Sequence, residues 1–276
     1  MTPKPIRLIT SQGRIGDRSP NAIPGAALTA AALAARLNTA PVIVGKPAPH
    51  CDDDWTASLP QAHDTLKALE AALVSALQAG SLPLLVANTC SASLATLPVA
   101  VAAIPDLKIL WVDAHGDFNT PETTTSGYLG GMVLAAASGL WDSGHGAGVD
   151  PRHILIAGIR DIDARERALL ENAGVSLLSP AQSSPEAIKS LIGDSPVWIH
   201  IDWDALEPDH VPAAYSIRDG LLPRQLRSIL AAIPAQQIAG IELAEFEAPD
   251  DAGEREKALA TLLDIVAPSL PRQAST

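Results

Sequence analysis

The stretch DAHGD sets an aspartate, a histidine and an aspartate at alternate positions, Asp113, His115 and Asp117, and HIDWD repeats the device with Asp202 and Asp204. Residues i, i+2 and i+4 of an extended segment point to one side, so each group can converge at a strand end. Four carboxylates and one imidazole without a matching set of lysines or arginines repel one another unless cations sit among them. An oxygen-rich set with one imidazole suits Mn2+ or a related divalent ion better than a zinc thiolate site does. Two ions about 3.5–4 Å apart can share a bridging water, lower its pKa and hold it as a hydroxide nucleophile against a carbonyl-like carbon. A lone Asp-x-His is ordinarily a turn or cap feature, and a buried histidine ordinarily a hydrogen-bonded core residue. Five such residues in two alternating clusters, each behind an apolar run, are read as a metal site. His50, His63, His153 and His210 stand outside any cluster and are assigned to surface or packing. His145 in SGHGAG and His200 in WIHIDW lie nearer the clusters.

The elements that must position these residues are short apolar runs: IRLIT, PVIVG, LPLLVA, LKILWVD, HILIAG, VSLLS, VWIHID and IAGIEL. Each is flanked by glycine, proline or polar residues, and alanine-rich helical stretches such as LTAAALAARLN, AHDTLKALEAALVSALQ, ARERALLENAG and PRQLRSILAAI lie between them. Eight continuous apolar strands with helical crossovers predict an α/β fold with a mostly parallel eight-stranded sheet covered on both faces. Ligands in such folds sit beyond the carboxyl ends of the strands, near the point where the strand order reverses. Asn88 to Ser91, Asp113 to Asn119, Asp161 to Asp163, Asp202 to Asp204 and Glu245 all fall just after a strand.

The 276 residues are 47% apolar, enough for one large core, and no linker or repeat divides them, so residues 1–276 are expected to form a single domain. A net charge of −12 without a basic cluster argues against nucleic acid and anionic membranes as partners. No apolar run of about eighteen residues and no secretory leader pattern is present, which predicts a cytoplasmic protein. Two cysteines, Cys51 and Cys90, cannot make a disulfide framework, leaving a thiol for other chemistry.

VDAHGDFNTPETTTSG and HIDWDALEP resemble the second and third signature motifs of the ureohydrolases, the arginase and agmatinase family; GIRDID resembles the segment that contacts substrate there, and GIELAEFEAP the last strand. The resemblance implies a three-layer α/β/α sandwich, a site with two Mn2+ ions and hydrolysis of small guanidino compounds, often by a homo-oligomer. It implies that Asp117 and Asp202 bridge two metals, that Asp113, His115 and Asp204 ligate as well, and that Asp117 holds the bridging hydroxide. It further implies that Asn119 and Ser126 recognise an α-carboxylate, that Asp163 lies near the α-amino group, and that Glu245 pairs with the guanidinium, a role suited to a bidentate fork.

Three departures from the family pattern alter that expectation. NTCSAS places Cys90 where a ligating histidine is usual; a softer, negative thiolate can still ligate but changes metal preference. GYLGG offers Tyr128 and Gly130 where arginases carry an asparagine and a histidine, so a general acid is missing there. HVPAAYSIRDG replaces the usual Thr-Gly-Thr-Pro loop and reshapes the approach of substrate. NTCS, DFNTPETTTSGYLGGM and LWDSGHGAG are similar to a hydroxyarginine-hydrolysing branch of the family, which implies conversion of Nω-hydroxy-L-arginine to L-ornithine and hydroxyurea for antibiotic biosynthesis of the D-cycloserine type. On this reading a missing histidine at Gly130 leaves room for the substrate's hydroxyl or for water. An agmatinase or guanidinobutyrase would share the metal set without needing Asn119, Ser126 and Asp163 together, and a non-catalytic relative would bind metal without turnover.

Overall fold

The computed structural model describes residues 4–270. All eight apolar runs form strands: β1 (Ile6–Ser11), β2 (Val42–Val44), β3 (Leu82–Val86), β4 (Lys108–Val112), β5 (Ile154–Ala157), β6 (Ser176–Leu178), β7 (Val197–Asp202) and β8 (Ile238–Ala244). They make one sheet in the order β2-β1-β3-β8-β7-β4-β5-β6, and every pairing is parallel. The helices are α1 (Ala22–Leu37), α2 (Trp55–Gln78), α3 (Ser93–Ala103), α4 (Val133–Ala137), α5 (Ala164–Ala173), α6 (Pro185–Ile192), α7 (Pro223–Ala232) and α8 (Ala252–Val266).

Alternation along the strands divides the buried side chains between two cores. Ile109, Trp111, Ile156 and Trp198 face Leu66 and Leu73 of α2, Leu94 and Leu97 of α3, and Leu170 of α5. Leu8, Leu84, Leu110, Ile199 and Ile241 face Leu33 of α1, Ile188 of α6, Leu226 and Ile229 of α7, and Leu262 and Ile265 of α8. The result is the predicted three-layer sandwich, with strands that are mostly apolar because both faces are covered. Among the described residues no helix is long and apolar enough to cross a membrane.

The strand order explains where chemistry can occur. After β1, β2 and β3 the chain jumps past two places to β4, and fills the gap later with β7 and β8. Val86, Leu243, Ile201 and Val112 are level across these four central strands. The residues just beyond them, from Cys90, Glu245, Asp202 and Asp113 onward, are thereby gathered at a topological switch point.

The last of these segments is braced from one side. Gly25 of α1 packs so closely on the chain after β8 that a methyl group would drive into the backbone carbonyl of Phe246, the neighbour of Glu245. Gly25→Ala is therefore expected to cost about 1–3 kcal/mol by overpacking. Urea unfolding would show it as a lowered midpoint at unchanged slope; an unaltered midpoint would mean that α1 shifts freely.

Candidate active site

Each central strand hands over to a turn that aims its polar residues at one point. Beyond β3 a 3-10 turn over Cys90–Ala92 buries the Cys90 thiol, whose Sγ lies 3.1 Å from Asp202 Oδ2 and 3.2 Å from His200 Nε2. Beyond β4 the Asp113 carboxylate accepts hydrogen bonds from the His115 amide at 2.7 Å and from Trp111 Nε1 at 2.9 Å. At the end of β7 Asp202 Oδ1 accepts from the Asp204 amide at 2.8 Å, and Asp204 in turn lies 2.8 Å from His115 Nδ1. Asp117 and Glu245 both adopt left-handed backbone, at φ 47° and 63°. That conformation is costly for a non-glycine residue and persists only where surrounding structure enforces it, as functional sites often do.

The six predicted ligands are thus brought together. One atom from each of Cys90, Asp113 and Asp117 falls within 4.8 Å of the others, and the same holds for Asp113, His115 and Asp204 and for Cys90, Asp202 and Glu245. Glu245, read from sequence only as a partner for guanidinium, is also within reach of a cation.

The electrostatics fit a cation-holding site. Asp113, Asp117, Asp202, Asp204 and Glu245 are all buried. Burial and then the neighbouring aspartates raise Asp117 and Asp202 well above the usual carboxylate range. Burial and the charge on Asp113 push Asp204 up to about 6 despite its bond to His115. Burial lifts Glu245 to about 8, against hydrogen bonds from the Cys90 amide and the Tyr128 hydroxyl. Burial would lower His115, but its hydrogen bonds to Asp113 and Asp204 push it up to about 12. In the metal-free protein, protons on Asp117, Asp202, Glu245 and His115 therefore offset part of the repulsion in this cluster. Burial, followed by the repulsion of Asp202 and Asp117, keeps the Cys90 thiol protonated without metal, as its acidic surroundings predict.

A cavity of about 280 Å³ opens onto the cluster, and Asn119, Ser126, Gly130 and Asp163 all line it. Asn119 Oδ1 already accepts from Thr123 Oγ1 at 2.9 Å, so its amide nitrogen is the group left for a ligand. Asp163 also serves the fold, because its Oδ1 caps α5 by accepting from the amides of Arg165 and Glu166 at 2.8 and 2.9 Å.

At Gly130 the structure corrects the expectation. No room is left by the missing side chain, because the Tyr128 ring occupies it: a Cβ on Gly130 would stand 2.5 Å from Tyr128 Cε1. The bidentate fork at Glu245 is corrected too. Its Oε1 already accepts from the Cys90 amide and from the Tyr128 hydroxyl, each at 2.9 Å, so one carboxylate oxygen is engaged before any substrate arrives.

Several lining residues had no readable signal in sequence. Tyr215 enters from the replaced loop and sits at φ 59°, its ring 5.3 Å from that of Tyr128. That loop is held by Arg160, whose Nη2 donates to the carbonyls of Asp204 and Ile217 at 2.8 Å each. Arg18 lies 5.1 Å over the Tyr128 ring. Glu166 accepts from the Phe118 amide, and burial raises it to about 7. Of the histidines outside the two clusters, His200 is fully buried beneath Cys90 and stacked at 3.5 Å on Trp111. His145 instead faces His63 at 5.1 Å, and neither lines the cavity.

Comparison with known proteins accords with this geometry. The arginase-family profile matches residues 9–266. The chain is 52% identical over 270 residues to the N(omega)-hydroxy-L-arginine amidinohydrolase of Streptomyces lavendulae, covering 98% of this chain and 99% of that one. In structure it superposes on the arginase of Bacillus caldovelox with a TM-score of 0.83 at 23% identity, over 99% of this chain and 100% of that one. The proclavaminate amidino hydrolase of Streptomyces clavuligerus gives a TM-score of 0.69 at 19% identity, over 97% and 93% of the two chains. A parallel eight-stranded sheet with an acidic cluster across its central strand ends, and a profile match over nearly its whole length, place this chain in the arginase family, as a hydrolase of guanidino compounds.

Proposed function

We propose that the protein hydrolyses Nω-hydroxy-L-arginine to L-ornithine and hydroxyurea with two Mn2+ ions, in the cytoplasm, and that the hydroxyurea feeds antibiotic biosynthesis. The observation that carries the substrate is the end-to-end 52% identity with the Streptomyces lavendulae amidinohydrolase. The cavity supports it: groups suited to an amino acid's carboxylate and amine, Asn119, Ser126 and Asp163, line the same cavity as the buried cluster and Glu245. Agmatine carries no carboxylate for Asn119 and Ser126 to meet.

Cys90, Asp113, His115, Asp117, Asp202 and Asp204 would hold the metals. Bound divalent ions supply positive charge and an acidified water for attack on the guanidine carbon. The chain's own residues do the rest. Asn119 and Ser126 anchor the α-carboxylate and Asp163 the α-amine, fixing the distance to the reacting carbon. Glu245 orients the guanidine through the oxygen that Tyr128 and Cys90 leave free. Asp117 takes the proton of the attacking water and delivers it to the departing ornithine nitrogen, since Gly130 offers no acid. The C–N bond to that nitrogen breaks, and hydroxyurea keeps the carbon and the new oxygen.

Manganese-loaded protein incubated separately with Nω-hydroxy-L-arginine, L-arginine and agmatine is expected to release ornithine and hydroxyurea from the first alone. Urea from arginine at a comparable rate, or putrescine from agmatine, would overturn the assignment.

A further inference from the structure

The Tyr128–Gly130 pair is the feature of the site that the family pattern leaves unassigned. Tyr128 and Gly130 are two residues apart, and the helical backbone of Leu129 between them (φ −64°, ψ −35°) folds the tyrosine ring back over the glycine. The ring is boxed in by Gly130 below, the Arg18 guanidinium at 5.1 Å and Tyr215 at 5.3 Å. Arg18 is itself fixed by the carbonyls of Asp53 at 2.7 Å and Ser126 at 3.0 Å. So held, the Tyr128 hydroxyl donates to Glu245 Oε1 at 2.9 Å while lining the cavity that the substrate must enter.

Resting on the hydroxyarginine reading above, we infer that Tyr128 is the specificity-determining residue, its hydroxyl oxygen accepting the substrate's N-hydroxyl while its own O–H goes on donating to Glu245. A guanidinium group is a fork of N–H donors that wants both oxygens of a carboxylate. Here Oε1 is taken by two donors, and only Oε2 remains. Arginine thus loses half of its fork, and the Tyr128 oxygen, an acceptor only because its proton is committed, is reached better by the O–H of an N-hydroxyl than by an N–H one atom shorter. An N-hydroxyguanidine needs one acceptor for its amino group and one for its O–H. Glu245 Oε2 and the Tyr128 oxygen, side by side, offer that pair. The glycine is required because any larger residue at 130 would push the ring out of register with Glu245.

The test is steady-state kinetics of manganese-loaded Tyr128→Phe and Gly130→Ala with Nω-hydroxy-L-arginine and L-arginine, beside calorimetric titration with ornithine. Removing one hydrogen bond to a substrate hydroxyl costs about 10–100-fold in kcat/KM. Tyr128→Phe is expected to lose about that much on hydroxyarginine, chiefly through KM, with L-arginine still not turned over. Ornithine has no N-hydroxyl, so its affinity is expected to stay within about threefold of the parent, inside the range of incidental surface changes. Gly130→Ala is expected to lose in the same direction, and the double variant no more than the worse single one, because both changes remove one contact. A Tyr128→Phe enzyme that keeps its kcat/KM on hydroxyarginine, or one that loses ornithine affinity in parallel, would overturn the inference. If the parent enzyme itself ignored hydroxyarginine, the functional reading would be at fault, a separate outcome.

Discussion

Asp202→Asn is expected to abolish turnover, by at least about a thousandfold, while making the metal-free protein more stable. The carboxylate sits where the two strand-end clusters meet, with Oδ1 on the Asp204 amide and Oδ2 3.1 Å from Cys90 Sγ. An asparagine of the same shape keeps its oxygen on that amide and turns its NH2 toward the thiol. Two donor hydrogens then point to the place where a cation needs a negative ligand, so metal affinity falls as well as rate. Mutation of a residue that merely orients a ligand costs about 10–100-fold in metal affinity, and loss of a ligand more. The stability change has the opposite sign. Asp202 is buried against Asp204, Asp113 and Glu245, whose charges oppose its own ionisation. Asparagine is neutral without taking up a proton on folding, so the cost of burying and protonating this carboxyl disappears, a gain of about 1–2 kcal/mol in the metal-free form. Thermal melts with chelator, manganese titration by calorimetry and the product assay would check the three expectations together. Undiminished manganese affinity would show that Asp202 is not a ligand.

Much of this site was legible because alternation is a strong signal. Asp113, His115 and Asp117 at spacing two behind an apolar strand mark the site, but they do not gather as one extended face: the chain bends at Ala114 and His115, Asp117 takes left-handed backbone, and Asp204 follows Asp202 in a 3-10 turn. The strands were legible for a related reason: parallel strands covered on both faces read as unbroken apolar runs, and even three-residue β2 and β6 fall inside PVIVG and VSLLS. Their order was not. Nothing local in β7 or β8 says that they enter between β3 and β4, since that depends on which helices cover which face. The same limit explains Gly130. Sequence shows a missing side chain but not what fills the space; the filler, Tyr128, depends on the Arg18 and Tyr215 contacts that wedge its ring, and those come from residues about 90–110 positions away along the chain. Asp163 was legible as a polar residue at a strand end, where it lines the cavity, but not as a helix cap. Capping also needs an aspartate just ahead of a helix, so one position can satisfy both demands.

The protons that hold the metal-free cluster together should make metal binding and stability respond to pH in opposite directions. Asp204 moves from its ordinary 3.8 to about 6, Glu166 from 4.5 to about 7 and Glu245 from 4.5 to about 8. His115 moves from 6.5 to about 12, by its two aspartate partners outweighing burial. All four shifts are upward, so the folded metal-free protein binds more protons than the unfolded chain across these windows, and its stability falls as pH rises. The carboxylates' share is fully present below about 4 and lost by about 8; the histidine's begins to fall above about 6.5. A divalent ion must displace the same protons, so its apparent affinity rises over that range, about tenfold per pH unit for each proton released. Chelator-treated protein is therefore expected to melt at a higher temperature at pH 5 than at pH 8, and protein with excess manganese to gain more from the metal at pH 8. Protons should appear in weakly buffered solution as the metal is added. A metal-free melting temperature that climbs from pH 5 to pH 8, with no proton release on adding manganese, would mean that fixed positive charge elsewhere already balances the five carboxylates. Among the described residues Arg18 is the one arginine lining the cavity, and its guanidinium is turned to the Asp53 and Ser126 carbonyls rather than to the cluster. With so little positive charge in the cavity, the acidic strand ends must take protons or metal.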